Sequence, residues 1–273
     1  MGYRNRVEDR GSYTHSTVSE GQFQLLRGAG FVAALTLALL LQRLRPHAQL
    51  RGSWVVNCGL WFTNLVVLGV VCGACACTVA RWAATSGIGV LNTVSAPWWL
   101  GVPVTIITLD LVSYLWHRAN HRVSFLWRFH QVHHSDTTFT TSTGVRFHPG
   151  ELLLSLPVRL TAVALVGASA GAVVLFEVVF NVANLVEHGD IDLPVRFERL
   201  MGRAFITPAL HRRHHTKVGS DRDTNFGTIF ATWDQLLGTR ADNDSATAID
   251  TGLPGVDALT LPRVFVLPLQ RAA

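Results

Sequence analysis

The sequence predicts an all-α integral membrane protein with about four transmembrane helices, the last of them a helical hairpin, and a cytoplasmic histidine-lined helical cap. Three observations lead there. Of 273 residues, 49% are hydrophobic and only 15% charged, against about 25% charged in a soluble domain. Four apolar regions are each long enough for a bilayer core, which takes about 20 helical residues. Ten of the twelve histidines crowd between residues 117 and 215. This composition excludes disorder and an ordinary cytosolic globule. The 23 basic residues outnumber 18 acidic ones, but only Lys217 is a lysine, so the excess reflects coding bias better than a nucleic-acid footprint. No nucleic-acid partner is expected.

Residues 1–22 are polar and lack the short apolar core and cleavage site of a secretory signal. The first span, residues 23–44, therefore reads as a retained anchor, with Arg27 able to snorkel near its end. The second, residues 54–80, holds all four cysteines (Cys58, Cys72, Cys75, Cys77), which form no secreted disulfide framework. Their Gly- and Ala-rich setting favours close helix packing over metal or redox work. The third, residues 98–116, opens with Trp98 and Trp99, an aromatic pair suited to a membrane interface. The fourth, residues 152–186, is too long for one span, and Gly167 and Gly171 divide it. The expected organisation is a polar segment (1–22), N-terminal spans (23–97), a catalytic domain (98–240) and a tail (241–273) that forms a peripheral cap.

Arg43, Arg45 and Arg51 lie between the first two spans, whereas the next loop has only Arg81. By the positive-inside rule the first of these loops is cytoplasmic, although Arg4, Arg6 and Arg10 pull the other way. The chain then returns to the cytoplasm after residue 116. A bacterial cytoplasmic membrane with the histidines facing the cytoplasm is the expected setting.

The clustered histidines read His117-Arg-Ala-Asn-His121, His130-Gln-Val-His133-His134, single His148 and His188, and His211-Arg-Arg-His214-His215. Residues three and four apart share a helix face. His117 pairs with His121, His130 with His134 and His211 with His215, while His133 and His214 sit one step round, able to reach a neighbouring metal. Neutral imidazole suits iron, zinc, copper and nickel. His148 precedes the fourth apolar region and His188 follows it, so a single crossing would separate them by about 30 Å. A hairpin brings both to one face. His15 and His47 stand outside the clusters and are expected to be bystanders.

Polar residues continue these stripes into the spans. Asp110 and Tyr114 precede His117, and Glu177, Asn181 and Asn184 lead to Glu187 and His188. An intramembrane carboxylate is costly and points to function. The expected work is to accept the second N–H of an imidazole, with helix-to-helix hydrogen bonding as the plainer role for Asp110 and Glu177. Asp136 and Asp223, beside HxxHH motifs, join the candidates, turn capping being the plainer role for Asp223.

These motifs resemble the fatty acid hydroxylase/sterol desaturase superfamily of integral-membrane di-iron oxygenases. The matches are Asp110-Leu-Val-Ser-Tyr-Leu-Trp-His117-Arg, Leu126-Trp-Arg-Phe-His130-Gln-Val-His133-His134-Ser-Asp136, Arg146-Phe-His148-Pro, His211-Arg-Arg-His214-His215, Asn225-Phe-Gly227 and Trp233-Asp234 through Gly238-Thr239. The resemblance implies that all ten clustered histidines hold two iron ions, that dioxygen is the co-substrate, and that a membrane lipid (fatty acyl, sterol or other isoprenoid) is hydroxylated or desaturated.

Electrons must then come from an external donor of cytochrome or ferredoxin type with its reductase. The sequence carries no GxGxxG fingerprint and no cysteine set for an iron–sulfur cluster. His148-Pro-Gly-Glu151 looks superficially like a haem-ligand motif, but an apolar hairpin follows it directly, so it reads as loop plus ligand. Arg118, Arg122, Arg128, Arg212 and Arg213 suit either an acidic carrier or lipid headgroups. The rival reading is a membrane metal-binding or metal-transport protein without oxygenase activity. It would place ligands at mid-membrane depth. A zinc peptidase would need HExxH, which is absent.

Overall fold

The computed structural model of the protein describes residues 19–48, 52–72, 75–241 and 249–270. Among them lie helices α1 (Glu20–Leu44), α2 (Trp54–Cys72), α3 (Cys75–Thr85), α4 (Val90–Thr93), α5 (Trp98–Arg122), α6 (Ser124–His134) and α7 (Pro149–Val166). They are followed by α8 (Ala170–Glu187), α9 (Val195–Met201), α10 (Pro208–His214), α11 (Gly219–Arg222), α12 (Thr232–Leu236) and α13 (Leu261–Val266). The described residues form no β-strand, only isolated bridges. Arg4, Arg6, Arg10, His15 and Arg51 fall outside the described residues, as do the side chains of Cys72 and Cys75.

Five stretches, rather than about four, are long and apolar enough to cross a membrane: α1, Trp54–Thr93, α5, α7 and α8. The extra one arises because the fourth apolar region resolves into two separate helices. α7 starts on Pro149, whose fixed φ suits the first helical position. It stops at Gly167, which adopts the left-handed conformation (φ 73°) that a Cβ would penalise. Ser169 then caps α8 by accepting a hydrogen bond from the Ala172 N–H. Gly171 lies inside α8 with open space around it, so Gly167 alone makes the turn. Gly89 packs directly on the Gly167 backbone, where a Cβ would come within 2.3 Å of the amide nitrogen.

α5 runs one and a half turns beyond the expected end at residue 116, carrying His117 and His121 on the same helix. α1 opens with a capping box, Ser19 and Gln22 exchanging side-chain and backbone hydrogen bonds. Arg27 does not snorkel: it forms a two-pronged ion pair with Glu177 of α8, both side chains less than one-fifth exposed. Glu177 thus takes the plainer role of joining helices.

The bundle has two distinct ends. Gly89 and Gly167 meet at one. At the other, Gln42 near the end of α1 accepts hydrogen bonds from Thr141 and the Asp190 N–H, and Asn57 near the start of α2 donates to Asp136. α6 and α10 lie at this second end with the histidines. An apolar core of Phe23, Cys77, Leu109, Val163, Val173 and Phe176 ties the spans together. Outward, Val55, Val70 and Trp98 are 84%, 83% and 77% exposed, an apolar surface suited to lipid. The C-terminal segment is more than a peripheral cap. Leu253, Val264 and Leu267 pack with Leu60, Trp127 and Val132 beneath the histidine-bearing helix α6.

Candidate metal centre

Nine imidazoles converge from four elements. α5 supplies His117 and His121 from its last turns, and α6 supplies His130, His133 and His134. His188 closes α8. Thr207 caps α10, followed by Pro208 at its first position, and the helix presents His211 and His214 before ending at His215. Each set inherits its spacing from the helical period.

The nine sort into two groups. One contains His117, His121, His130, His134 and His214; the other contains His133, His188, His211 and His215. Within each group the nitrogens lie within 4.8 Å of one another. Each adjacent pair splits: His133 and His134 join different groups, as do His214 and His215. The groups adjoin, with the rings of His134 and His215 stacked at 4.3 Å.

The hydrogen bonds on the outer nitrogens fix the tautomers. His117 Nδ1 donates to the Phe226 carbonyl at 2.8 Å, and His214 Nδ1 to the Thr224 carbonyl at 2.7 Å. A carbonyl can only accept, so each ring carries its proton on Nδ1 and a lone pair on Nε2. Yet His117 Nε2 and His214 Nε2 face each other at 3.0 Å. The same holds in the second group. His133 and His188 donate from Nδ1 to the Arg146 and Asn184 carbonyls, and their Nε2 atoms face each other at 3.0 Å. Opposed lone pairs repel unless an electrophile lies between them. Further buried nitrogens find no hydrogen-bond partner among the described residues: Nε2 of His121 and His130, Nδ1 of His211, and both ring nitrogens of His134 and His215. This donor set fits two first-row metal ions.

Charge points the same way. Burial, reinforced by neighbouring imidazoles, holds His133, His134, His211 and His215 well below the usual histidine range. Burial brings His188 down to about 4 and His214 to about 3. The rings are neutral at pH 7, the state in which imidazole ligates.

His148, expected among the ligands, stands apart from both groups. Its Nδ1 accepts from the Gly150 N–H, capping α7, and its Nε2 faces the Phe265 carbonyl at 3.4 Å. Both ring nitrogens are thereby engaged, so the geometry brings together nine histidines rather than ten.

The expected acidic supports are also redistributed. Asp110 touches no imidazole. Its carboxylate accepts from the Ile229 and Phe230 N–H groups and from Trp233 Nε1, anchoring the loop whose Phe226 carbonyl orients His117. Tyr114 hydrogen-bonds Thr239 and meets the Phe226 ring edge-on. Asp136 accepts from Ser53, Asn57, Thr138 and Thr143, again without an imidazole. Asn184 holds His188 through its backbone carbonyl, its side chain donating to Gly144. Glu187 lies 3.8 Å from His188 Nδ1 and 3.9 Å from His211 Nε2. Asp223 lies 3.5 Å from His121 Nδ1. The support sequence reasoning missed is Glu151, which accepts from His130 Nδ1 at 2.8 Å and from Asn120. An acid in the first turn of an apolar helix was the available signal.

Asp110→Asn is expected to leave one of three buried donors unpaired, lowering stability by about 1–3 kcal/mol. The loosened loop should also cut metal affinity about 10–100-fold. Chelator competition alongside melting in detergent checks this; a lowered melting point with unchanged metal retention would confine Asp110 to packing.

A cavity of about 140 Å³ is lined by histidines of both groups. His117, His130, His133, His188 and His211 share its lining with Glu151 and Glu187 and with Val112, Leu152 and Phe180 of the spanning helices.

Comparison with known proteins meets the same region. The model of the family described as "Fatty acid hydroxylase" matches residues 102–239. An ornithine lipid hydroxylase of Rhizobium tropici is 27% identical over 88% of this chain and 75% of its own length. Alkylglycerol monooxygenase of Danio rerio is 28% identical over 53% of the chain, and cholesterol 25-hydroxylase of Rattus norvegicus is 26% identical over 50%. For these two the match covers only 30% and 46% of the relative. No solved structure matches the chain. The matched span begins in α5 and ends after α12, enclosing every histidine of both groups, and the chain belongs to the fatty acid hydroxylase family.

Proposed function

We propose that the protein is a membrane-bound, dioxygen-dependent lipid hydroxylase whose nine converging histidines hold two iron ions. The observation that carries this reading is the pairing of opposed Nε2 lone pairs in two adjoining groups at the floor of a cavity walled by spanning helices. Two ferrous ions bound there would supply electrons to dioxygen and so an oxidant stronger than any side chain, as an unactivated C–H bond requires. His117, His121, His130, His134 and His214 would hold one ion; His133, His188, His211 and His215, with Glu187 beside them, the other. The backbone carbonyls of Phe226, Thr224, Arg146 and Asn184, together with Glu151, keep the ligating nitrogens aimed inward. Val112, Leu152 and Phe180 would receive the lipid and exclude water. All three relatives carry the name hydroxylase or monooxygenase, which favours hydroxylation over desaturation. An external cytochrome or ferredoxin, with its reductase, would supply the remaining electrons.

Purification from iron-replete cells should yield close to two iron atoms per chain, and lipid profiling of an expressing host should show a product one oxygen heavier that requires air. Bound metal without any such product would favour the transport reading; one metal per chain would overturn the two-ion assignment.

We also place the histidine end in the cytoplasm. Cysteines at Ser124 and Ala258, both exposed at that end, should label only from the cytoplasmic side, and cysteines at Ser86 and Ser169 only from the other. Cys58 is exposed and must first be replaced. Ser142 would be a poor reporter, being buried against Asn57, and Ser245 lies outside the described residues. Labelling of Ser124 and Ala258 from opposite sides would remove the shared cap.

A further inference from the structure

The cavity contains a charge that the proposed chemistry does not use. Arg159 lies in the eleventh position of α7, inside a stretch apolar enough to span the membrane, and it lines the same cavity as the histidines. No acidic side chain pairs with it among the described residues, whereas Arg27 of α1 has Glu177 and Arg81 of α3 has Glu20. An intramembrane cation is costly and normally faces a partner or a wet cavity. Glu151, Ser155 and Arg159 follow one another at intervals of four, so all three project to one face of α7, and all three line the cavity.

Helical side chains lean toward the helix N-terminus, which for α7 is the histidine end. Arg159, exposed where it lines the cavity, is therefore expected to lean toward the histidine end of α7 rather than toward its far end. Eight residues at 1.5 Å each put its backbone about 12 Å along the helix from Glu151, which holds His130. Among the described residues no ion pair joins it to the two carboxylates that line the cavity, Glu151 and Glu187, which lie beside His130, His188 and His211 instead. Ser113 and Ser155 spend their hydroxyl protons on the Leu109 and Leu152 carbonyls, and Glu151 is engaged with His130 and Asn120. Trp116, also lining the cavity, has a buried indole N–H with no partner among the described residues. Both groups are donors only, so this part of the cavity is built to receive an acceptor, and a negatively charged one.

We propose that Arg159, assisted by Trp116, binds an anionic phosphate or carboxylate group of the lipid whose chain is oxidised at the histidines lining the same cavity. This rests on the lipid-hydroxylase reading and names the substrate class it would act on. Full-length, metal-loaded protein in neutral detergent is offered phosphatidylglycerol, oleate, or diacylglycerol as the uncharged control, and retained lipid is measured by native mass spectrometry. Wild type should retain one of the two anionic lipids over diacylglycerol, and which one identifies phosphate or carboxylate. Arg159→Gln should reduce that preference about tenfold or more, with Arg159→Lys restoring part of it and metal content unchanged in both.

Equal retention of charged and uncharged lipid by wild type would overturn the proposal whether or not the variants fold. So would a preference that survives Arg159→Gln. Because binding is read without turnover, a protein that prefers anionic lipid but oxidises none would refute the hydroxylase reading alone.

Discussion

Alanine in place of His130, His134, His211 or His215 is expected to abolish lipid oxidation and to lower bound iron. Each ring is buried, held neutral by its surroundings or matched to a carboxylate, and placed with its free nitrogen toward three or more others. Removing one deletes a ligand and leaves its neighbours with lone pairs facing a gap that no protein donor fills. His134 and His215 stack on each other from opposite groups, so loss of either should disturb both ions and leave well under two per chain. The informative control is His148→Ala. The sequence motif makes His148 a ligand, whereas its observed bonds make it a helix cap. That variant should keep its iron and lose only about 0.5–2 kcal/mol of stability, the cost of a missing cap. His47→Ala should keep iron and activity. Iron analysis and product formation on the same samples decide the matter: wild-type turnover in any of the first four would remove that residue from the ligand set, and loss of iron in His148→Ala would restore the tenth ligand.

The helical period made most of this site legible. The pairs at i and i+4 stay in one group and the residue next to each joins the other, because 100° per residue turns adjacent side chains to different walls. His148 and His188 illustrate where the reading ends. Both are isolated in the sequence and both flank the hairpin, but His188 closes a helix at the floor of the cavity whereas His148 begins one and turns back on its own first turn. That difference lies in three-dimensional placement, not spacing. The orienting groups were less legible still. Four of the imidazoles donate to backbone carbonyls, which every residue possesses, so no side-chain pattern marks them. The acids that looked suited to the task, Asp110 and Asp136, hold loops instead. In the spans, apolar length identified the helices, but the hairpin turn needed a residue free to take positive φ, a condition met at Gly167 and not required at Gly171.

Arg146→Leu should be the most destabilising change outside the ligands. The guanidinium is 1% exposed and fully committed: Nε donates to the Val132 carbonyl, Nη1 to Asn57 and Nη2 to Ser135. Asn57 passes the connection on, its amide donating to Asp136 and Ser142. Burial alone would raise the Asp136 carboxyl, but Arg146 and the hydrogen bonds from Asn57 and Thr143 hold it below the ordinary range, so the fold contains a buried cation and a buried anion joined through one amide. Deleting the cation strands the anion, which costs about 3–5 kcal/mol. The damage should reach the histidine groups, because Arg146 follows the Thr141–Val145 turn and its own carbonyl accepts the hydrogen bond from His133 Nδ1. Adding Asp136→Asn to Arg146→Leu removes the stranded charge while keeping a side chain of the same shape. The double variant should therefore lose less than the sum of the two single losses, by about 0.5–3 kcal/mol. Melting of the four proteins in detergent closes that cycle. Strict additivity would show that Arg146 acts through packing and its Val132 and Ser135 bonds alone, with no electrostatic link to Asp136.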